Sequence, residues 1–176
     1  MAWYSKDVDV MLTEAQLKTR IEELGAQITR DYTGKELTLV GILKGSVFFL
    51  TDLAKAIDLP LTLEMMGVSS YHGGTETTGE VRITSDLTKP MHGKHLLVVE
   101  DIIDTGLTMK FLLENLSARH PASLKVASLL EKPARAQTKI DIDYKGFVIE
   151  DKFVVGYGLD FDEKYRNMPF IGVMRR

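Results

Sequence analysis

The run HLLVVE, residues 95–100, sets four consecutive apolar residues between a histidine and a glutamate. Successive side chains of a strand point to opposite faces, so such a run leaves neither face for water and has to be covered on both. ELTLVGIL (36–43) and LKVASLL (124–130) have the same character. Between them lie stretches with helical spacing, VFFLTDLAKAI (47–57) and LTMKFLLENLSAR (107–119). Strands alternating with helices in this way predict an α/β fold with a mainly parallel central sheet flanked by helices.

Other segments fit around that sheet. From Thr13 to Tyr32, Leu17, Ile21, Leu24 and Ile28 recur at helical intervals, and Thr13 with Gln16 has the pattern of a capping box. LTLEMMGV (61–68) reads as a strand and EVRITSDL (80–87) as its return. The polar stretch SSYHGGTETTGE (69–80) between them lacks periodicity and reads as a flexible loop or a distorted hairpin. From Lys132 onward short strands and turns predict a cap at one end of the sheet. No repeat, linker or low-complexity segment divides the 176 residues, so a single domain, 1–176, is expected.

Composition narrows the partners. Against 25 Asp and Glu stand 22 Lys and Arg, a net charge of -3, which supplies no global attraction for nucleic acid or an anionic membrane. The lack of Cys excludes disulfides, thiolate nucleophiles and Cys-ligated zinc. Acids interrupt MAWYSKDVDV where a signal peptide needs an apolar region, and no segment approaches ~20 apolar residues. A cytoplasmic setting is expected.

In an open parallel sheet, ligands bind beyond the carboxyl ends of the strands, and HLLVVE delivers Glu100 and Asp101 there. Residues Asp104, Thr105, Gly106, Leu107 and Thr108 then form a turn into a helix, where amides, Thr hydroxyls and the helix dipole suit a phosphate. Acids beside a phosphate cradle repel it unless the ligand also carries sugar hydroxyls and a divalent cation. A ribose phosphate with Mg2+ resolves the conflict. Capping alone accounts for Thr105 but not for acids placed before the turn. Neither a P-loop nor a dinucleotide fingerprint is present.

VVEDIIDTGLT resembles the phosphoribosyl pyrophosphate motif of type I phosphoribosyltransferases, and its Glu-Asp pair before Asp-Thr-Gly is similar to the hypoxanthine-guanine branch. GILKGS, SSY, ASLLEKP and DKFVVGYGLDFDEKYRNMPFIG extend the resemblance over nearly the whole chain. It implies the type I phosphoribosyltransferase fold, with residues 132–176 supplying much of a purine-binding cap. The implied reaction moves the phosphoribosyl group from phosphoribosyl pyrophosphate to N9 of hypoxanthine or guanine, with Mg2+ as cofactor. A homodimer or homotetramer is implied too.

The resemblance also implies roles that local chemistry leaves open. Lys44 and Gly45, locally an exposed lysine and a turn glycine, would bind pyrophosphate, with a cis peptide at Leu43–Lys44. Arg166, locally a surface arginine, would join them, its fork suited to phosphate. Glu100, Asp101 and Asp160 would hold the metal, and Asp160 would also lie close to the purine base; locally it is a helix or turn cap. Asp104 would accept the proton of purine N7. Lys132, locally a solvated lysine, would meet the 6-oxo group, since an ammonium donates to a carbonyl but not to the amino group of adenine. Phe153, locally a core residue, would stack on the base while Val154 offers backbone groups. Ser69, Ser70 and Tyr71 would open a loop closing over the site, where the local alternative is a surface hairpin.

Two positions depart from the pattern. Leu107 stands where relatives can carry a basic residue, which shifts the 5'-phosphate onto amides, Thr105 and Thr108; Phe161 lacks a tyrosine hydroxyl. The four histidines, His72, His92, His95 and His120, show no metal spacing. A xanthine-preferring transferase and an RNA-binding regulator on the same scaffold are the alternatives.

Overall fold

The computed structural model describes residues 7–70 and 81–175; Tyr71 and His72 fall outside them. In chain order the elements are β1 (Val8–Leu12), α1 (Glu14–Tyr32), β2 (Leu37–Leu43), α2 (Val47–Ala56), β3 (Leu61–Ser70), β4 (Val81–Ser85), β5 (His95–Ile103), α3 (Leu107–Ser117), β6 (Ser123–Glu131), β7 (Tyr144–Val148), β8 (Val154–Val155) and β9 (Ile171–Met174). A six-stranded sheet has the order β4-β3-β2-β5-β6-β7, parallel except for β4. A three-stranded antiparallel sheet, β1-β9-β8, forms the cap.

Alternation along the apolar strands divides the core. Leu39, Leu97, Val99 and Leu129 pack on one face with Leu17, Ile21, Leu24 and Ile28 of α1 and Phe49, Leu50 and Leu53 of α2. Val40, Ile42, Leu96, Val98 and Val126 meet Met109, Leu112 and Leu116 of α3 on the other. Each such side chain contributes roughly 1.5–3 kcal/mol by burial, which is why runs with no polar face become central strands. At the start of α1 the expected capping box is present: Gln16 N–H donates to Thr13 Oγ1 at 3.3 Å and Thr13 N–H to Gln16 Oε1 at 2.9 Å.

The cap differs from expectation. The sequence after Lys132 does not form it alone, because β7 adds a sixth strand to the main sheet, while β1, from the other end of the chain, pairs with β9. Ser69 and Ser70 belong to β3, opposite Arg82 and Val81 of the antiparallel β4. No helix among the described residues is long and apolar enough to cross a membrane.

Candidate active site

β5 runs three residues beyond Glu100, so the two acids lie within the strand end rather than after it. Glu100 is buried, 8% exposed, and its Oε1 accepts from the Asp101 N–H at 3.2 Å. Asp101 Oδ1 accepts from the Ile102 N–H at 2.8 Å. Burial, reinforced by the charge of Asp101, holds the Glu100 carboxyl well above the ordinary range. Burial raises Asp101 as well, against the pull of its hydrogen bonds and of the Arg166 charge. A buried carboxyl beside a half-buried one, with too little counter-charge for both, fits a hard dication completed by ligand oxygens and water.

Because the folded protein holds these protons more tightly than the unfolded chain, stability falls as pH rises from the ordinary carboxyl range, about 4, through the raised values. Glu100→Gln is therefore expected to raise the melting temperature at neutral pH by about 2–6 °C, from ~1–2 kcal/mol of relieved desolvation, and to flatten its decline with pH. Thermal scans from pH 4 to 9 check this; a lower melting temperature for the variant at pH 7 would contradict it.

After β5 the chain turns at Asp104, Thr105 and Gly106. Gly106 caps α3 with φ 82°, and a Cβ there would stand 2.6 Å from the Thr138 carbonyl oxygen. The Thr105 carbonyl accepts from the N–H groups of Gln137, at 3.0 Å, and Thr138, at 3.2 Å, which ties the turn to the segment after β6. Leu107, the departing residue, is 37% exposed at the helix start, and its N–H donates to Thr105 Oγ1 at 3.4 Å. A cleft of about 90 Å3 lies against Glu100, Asp104, Thr105, Gly106 and Thr108. A cavity of about 570 Å3 between α1, α2 and residues 157–169 is larger but holds none of the predicted groups. Size is a poorer guide here than chemistry.

The Leu43–Lys44 peptide is cis. Gly45 faces Asp101 so closely that a Cβ would stand 1.7 Å from Asp101 Oδ2. Gly158, at φ 103°, is pressed against the other side of this turn, where a Cβ would come within 1.9 Å of the Gly45 carbonyl oxygen. Its own carbonyl accepts from Arg166 Nη1 at 2.7 Å, and Arg166 Nη2 lies 2.9 Å from Asp160 Oδ1. Lys44, Gly45, Asp101 and Arg166 are thus brought to one place, through glycine contacts that only a missing side chain permits.

Lys132 directly follows Glu131, the last residue of β6, and is 7% exposed, not a solvated lysine. Its N–H donates to the Ile103 carbonyl at 2.9 Å, which fastens it beside Asp104, and its Nζ lies 3.9 Å from Asp151 Oδ1. Phe153 is not core: it is 55% exposed, with Phe161 edge-on at 5.7 Å and 87°. Val154 is buried in β8.

Some expected groupings are not seen. Asp160 stands with Arg166 and accepts the Glu163 N–H at 2.9 Å, as the turn-cap alternative had it, and no three His, Asp or Glu side chains among the described residues converge on a cation position. His95 Nδ1 lies 2.7 Å from Ser123 Oγ, a packing role. Arg135, Glu163 and Gly158 were not foreseen. Arg135 Nε lies 2.9 Å from Asp104 Oδ1, without the alignment of a hydrogen bond, and Glu163 pairs with Lys44. Arg135 in KPAR and Glu163 in DFDEK carry no local sign of a partner, whereas Gly158, in VGYGL, is of the residue type that permits close approach.

The profile of the phosphoribosyl transferase domain family matches residues 8–162. A hypoxanthine-guanine phosphoribosyltransferase of Staphylococcus aureus is 51% identical over 167 residues, 95% of this chain and 93% of that protein. One from Mycobacterium tuberculosis is 48% identical over 178 residues, 97% of this chain and 88% of its own. The crystal structure of a hypoxanthine phosphoribosyltransferase from Staphylococcus aureus superposes with a TM-score of 0.95 at 49% identity, covering 99% of this chain and 95% of the other. With its parallel sheet, acid-bearing strand end and glycine-docked turns, the chain belongs to the phosphoribosyl transferase domain family, among the hypoxanthine-guanine phosphoribosyltransferases.

Proposed function

We propose that this chain transfers the 5-phosphoribosyl group from phosphoribosyl pyrophosphate to N9 of hypoxanthine or guanine, giving IMP or GMP and pyrophosphate. The observation carrying the reading is the pair of the buried Glu100 and its neighbour Asp101, set between the turn at the start of α3 and the joined Lys44, Gly45 and Arg166. In this reading residues 104–108 receive the 5'-phosphate and Glu100 and Asp101 the ribose hydroxyls. Glu100 and Asp101 would hold Mg2+, with Asp160 near the base and a second metal position; when bound, the metal offsets charge on the pyrophosphate.

As the bond from C1' to the leaving oxygen breaks, the electron pair departs with pyrophosphate. Lys44, the Gly45 amide and Arg166 are the donors this chain aims at that charge. The new bond forms between C1' and N9, and the proton on N7 passes to the Asp104 carboxylate. Phe153, exposed and braced by Phe161, stacks on the base, and Val154 meets its edge through the backbone. Ser69, Ser70 and Tyr71 open the loop that excludes water.

Lys132 reads the 6-oxo group. A buried ammonium needs an acceptor, so a 6-amino purine leaves donor facing donor. Lys132→Ala is expected to lower kcat/KM for hypoxanthine roughly 100-fold and to narrow the preference over adenine. Equal selectivity in variant and parent rejects the assignment.

We read the protein as one domain, 1–176, with residues 132–176 forming much of the purine wall, working in the cytoplasm as a homodimer or homotetramer. The apolar Phe48, Leu63 and Met65, exposed by 37%, 44% and 41%, support contact with a second copy. Purified protein, Mg2+ and phosphoribosyl pyrophosphate mixed separately with hypoxanthine, guanine, xanthine and adenine test the reaction. Nucleotide from the first two supports it, and none from any purine defeats it.

A further inference from the structure

Glu163 occupies the place an incoming anion would take. Its Oε2 lies 2.8 Å from Lys44 Nζ and its Oε1 3.4 Å from Arg166 Nη2. These are the two cations assigned above to pyrophosphate, so the inference rests on that reading. The turn presenting Glu163 is held in an unusual shape: Asp162, Glu163 and Tyr165 have φ of 51°, 60° and 73°, values uncommon outside glycine and clustered at functional sites. The Glu163 N–H is anchored on Asp160 Oδ2, and Phe161 and Lys164 exchange backbone hydrogen bonds across the turn.

We propose that Glu163 is a built-in competitor for pyrophosphate: its carboxylate bridges Lys44 and Arg166 in the free protein, leaves when pyrophosphate arrives, and thereby sets how tightly that group is held and how fast it departs.

Two opposed effects of such a bridge have to be weighed. By holding two cations together, Glu163 prearranges them, and its loss would then weaken binding. By occupying them, it competes, and its loss would strengthen binding. Arg166 does not need Glu163 for its position, because Gly158 and Asp160 hold it at 2.7 and 2.9 Å. The backbone at Lys44 is likewise fixed by the packing of Gly158 on Gly45. Only the ammonium, at the end of an exposed stem, is placed by the carboxylate. Competition therefore outweighs prearrangement, and because the Lys44–Glu163 pair is 67% exposed on both sides, displacing it is easy.

Titration calorimetry with inorganic pyrophosphate and Mg2+ tests this. Glu163→Gln is expected to bind pyrophosphate roughly three- to tenfold more tightly than the parent, with slower release in stopped-flow chase. Glu163→Gly removes the same charge and accepts a φ near 60° freely, so it carries the test if the Gln variant folds poorly. Asp162→Asn removes an equal charge one residue away, on a side chain paired with Lys164 at 3.8 Å, and is expected to leave binding unchanged. Unchanged or weaker binding in both Glu163 variants overturns the proposal, as does an equal gain in Asp162→Asn, which would mark a general field effect. Lys44→Ala and Arg166→Ala separate the two levels. If they weaken pyrophosphate binding while the Glu163 variants do not tighten it, the competitor alone is wrong; if they leave it unaltered, the assignment of the cations falls too.

Discussion

Asp104→Asn is expected to lower turnover roughly 10²–10⁴-fold, the range spanned by a lost general base, while leaving the melting temperature within a few degrees of the parent. The substitution keeps the shape of the side chain and removes its ability to take a proton. It also removes the charge facing Arg135 Nε at 2.9 Å, but that contact lies at the half-exposed end of the turn, with Arg135 48% and Asp104 38% exposed, and contributes little to folding. The turn itself is held by other bonds, from Gln137 and Thr138 to the Thr105 carbonyl and from Lys132 to Ile103. Steady-state rates from pH 5 to 9 with guanine and with hypoxanthine are the measurement. Identical turnover at every pH would remove Asp104 from proton transfer, and a loss of only a few-fold with an unaltered pH profile would assign it to positioning the base.

Gly45→Ala is expected to cost about 100-fold in kcat/KM, the scale on which a displacement near 1 Å acts on a reacting centre. The added methyl has nowhere to go. It points at Asp101 Oδ2 from 1.7 Å, while Gly158 closes the opposite side of the same turn. Either the Asp101 carboxylate swings away or the Lys44–Gly45 turn lifts, and each outcome separates groups that the proposed reaction uses together. Stability should change less than activity, since the strain falls on one strand end and not on the core. Circular dichroism melting beside kinetic assays separates the two. Full activity in a folded Gly45→Ala protein would mean that the close packing of this turn on Asp101 has no part in catalysis.

The fold was legible wherever a segment carried its own reason for being an element. Leu96–Val99 and Leu37–Leu43 had no polar face to offer water, and α1 announced itself through Thr13, Gln16 and four apolar residues in register. β1 was not legible because its partner, β9, lies at the far end of the chain, and the alternation in VDVML is too short to signal pairing. β7 was taken for cap because YKGFV is half-exposed at a sheet edge, and its strand character comes from β6 beside it.

The site divides in the same manner. Glu100, Asp101 and the 104–108 turn could be found from local chemistry, because acids at a strand end before a glycine turn are hard to explain otherwise. Lys44, Lys132, Phe153 and Arg166 could not, since each is an ordinary residue until the fold sets it against something, and only resemblance to a family singled them out. Burial sets Lys132 apart from a solvated lysine, and exposure sets Phe153 apart from a core residue. Arg135 and Glu163 escaped because an ion pair formed across 31 or 119 residues of chain leaves no trace at either position.

The small sheet has β9 in its middle, between the first strand and β8. The large sheet is complete by Val148, so a chain emerging from the ribosome can assemble its acidic ledge and α3 early. Val154 and Val155 have no strand partner until residues 171–174 arrive. The strand pairing of the small sheet thus waits on its last member: a product that stops before Ile171 leaves both β1 and β8 without the neighbour they share.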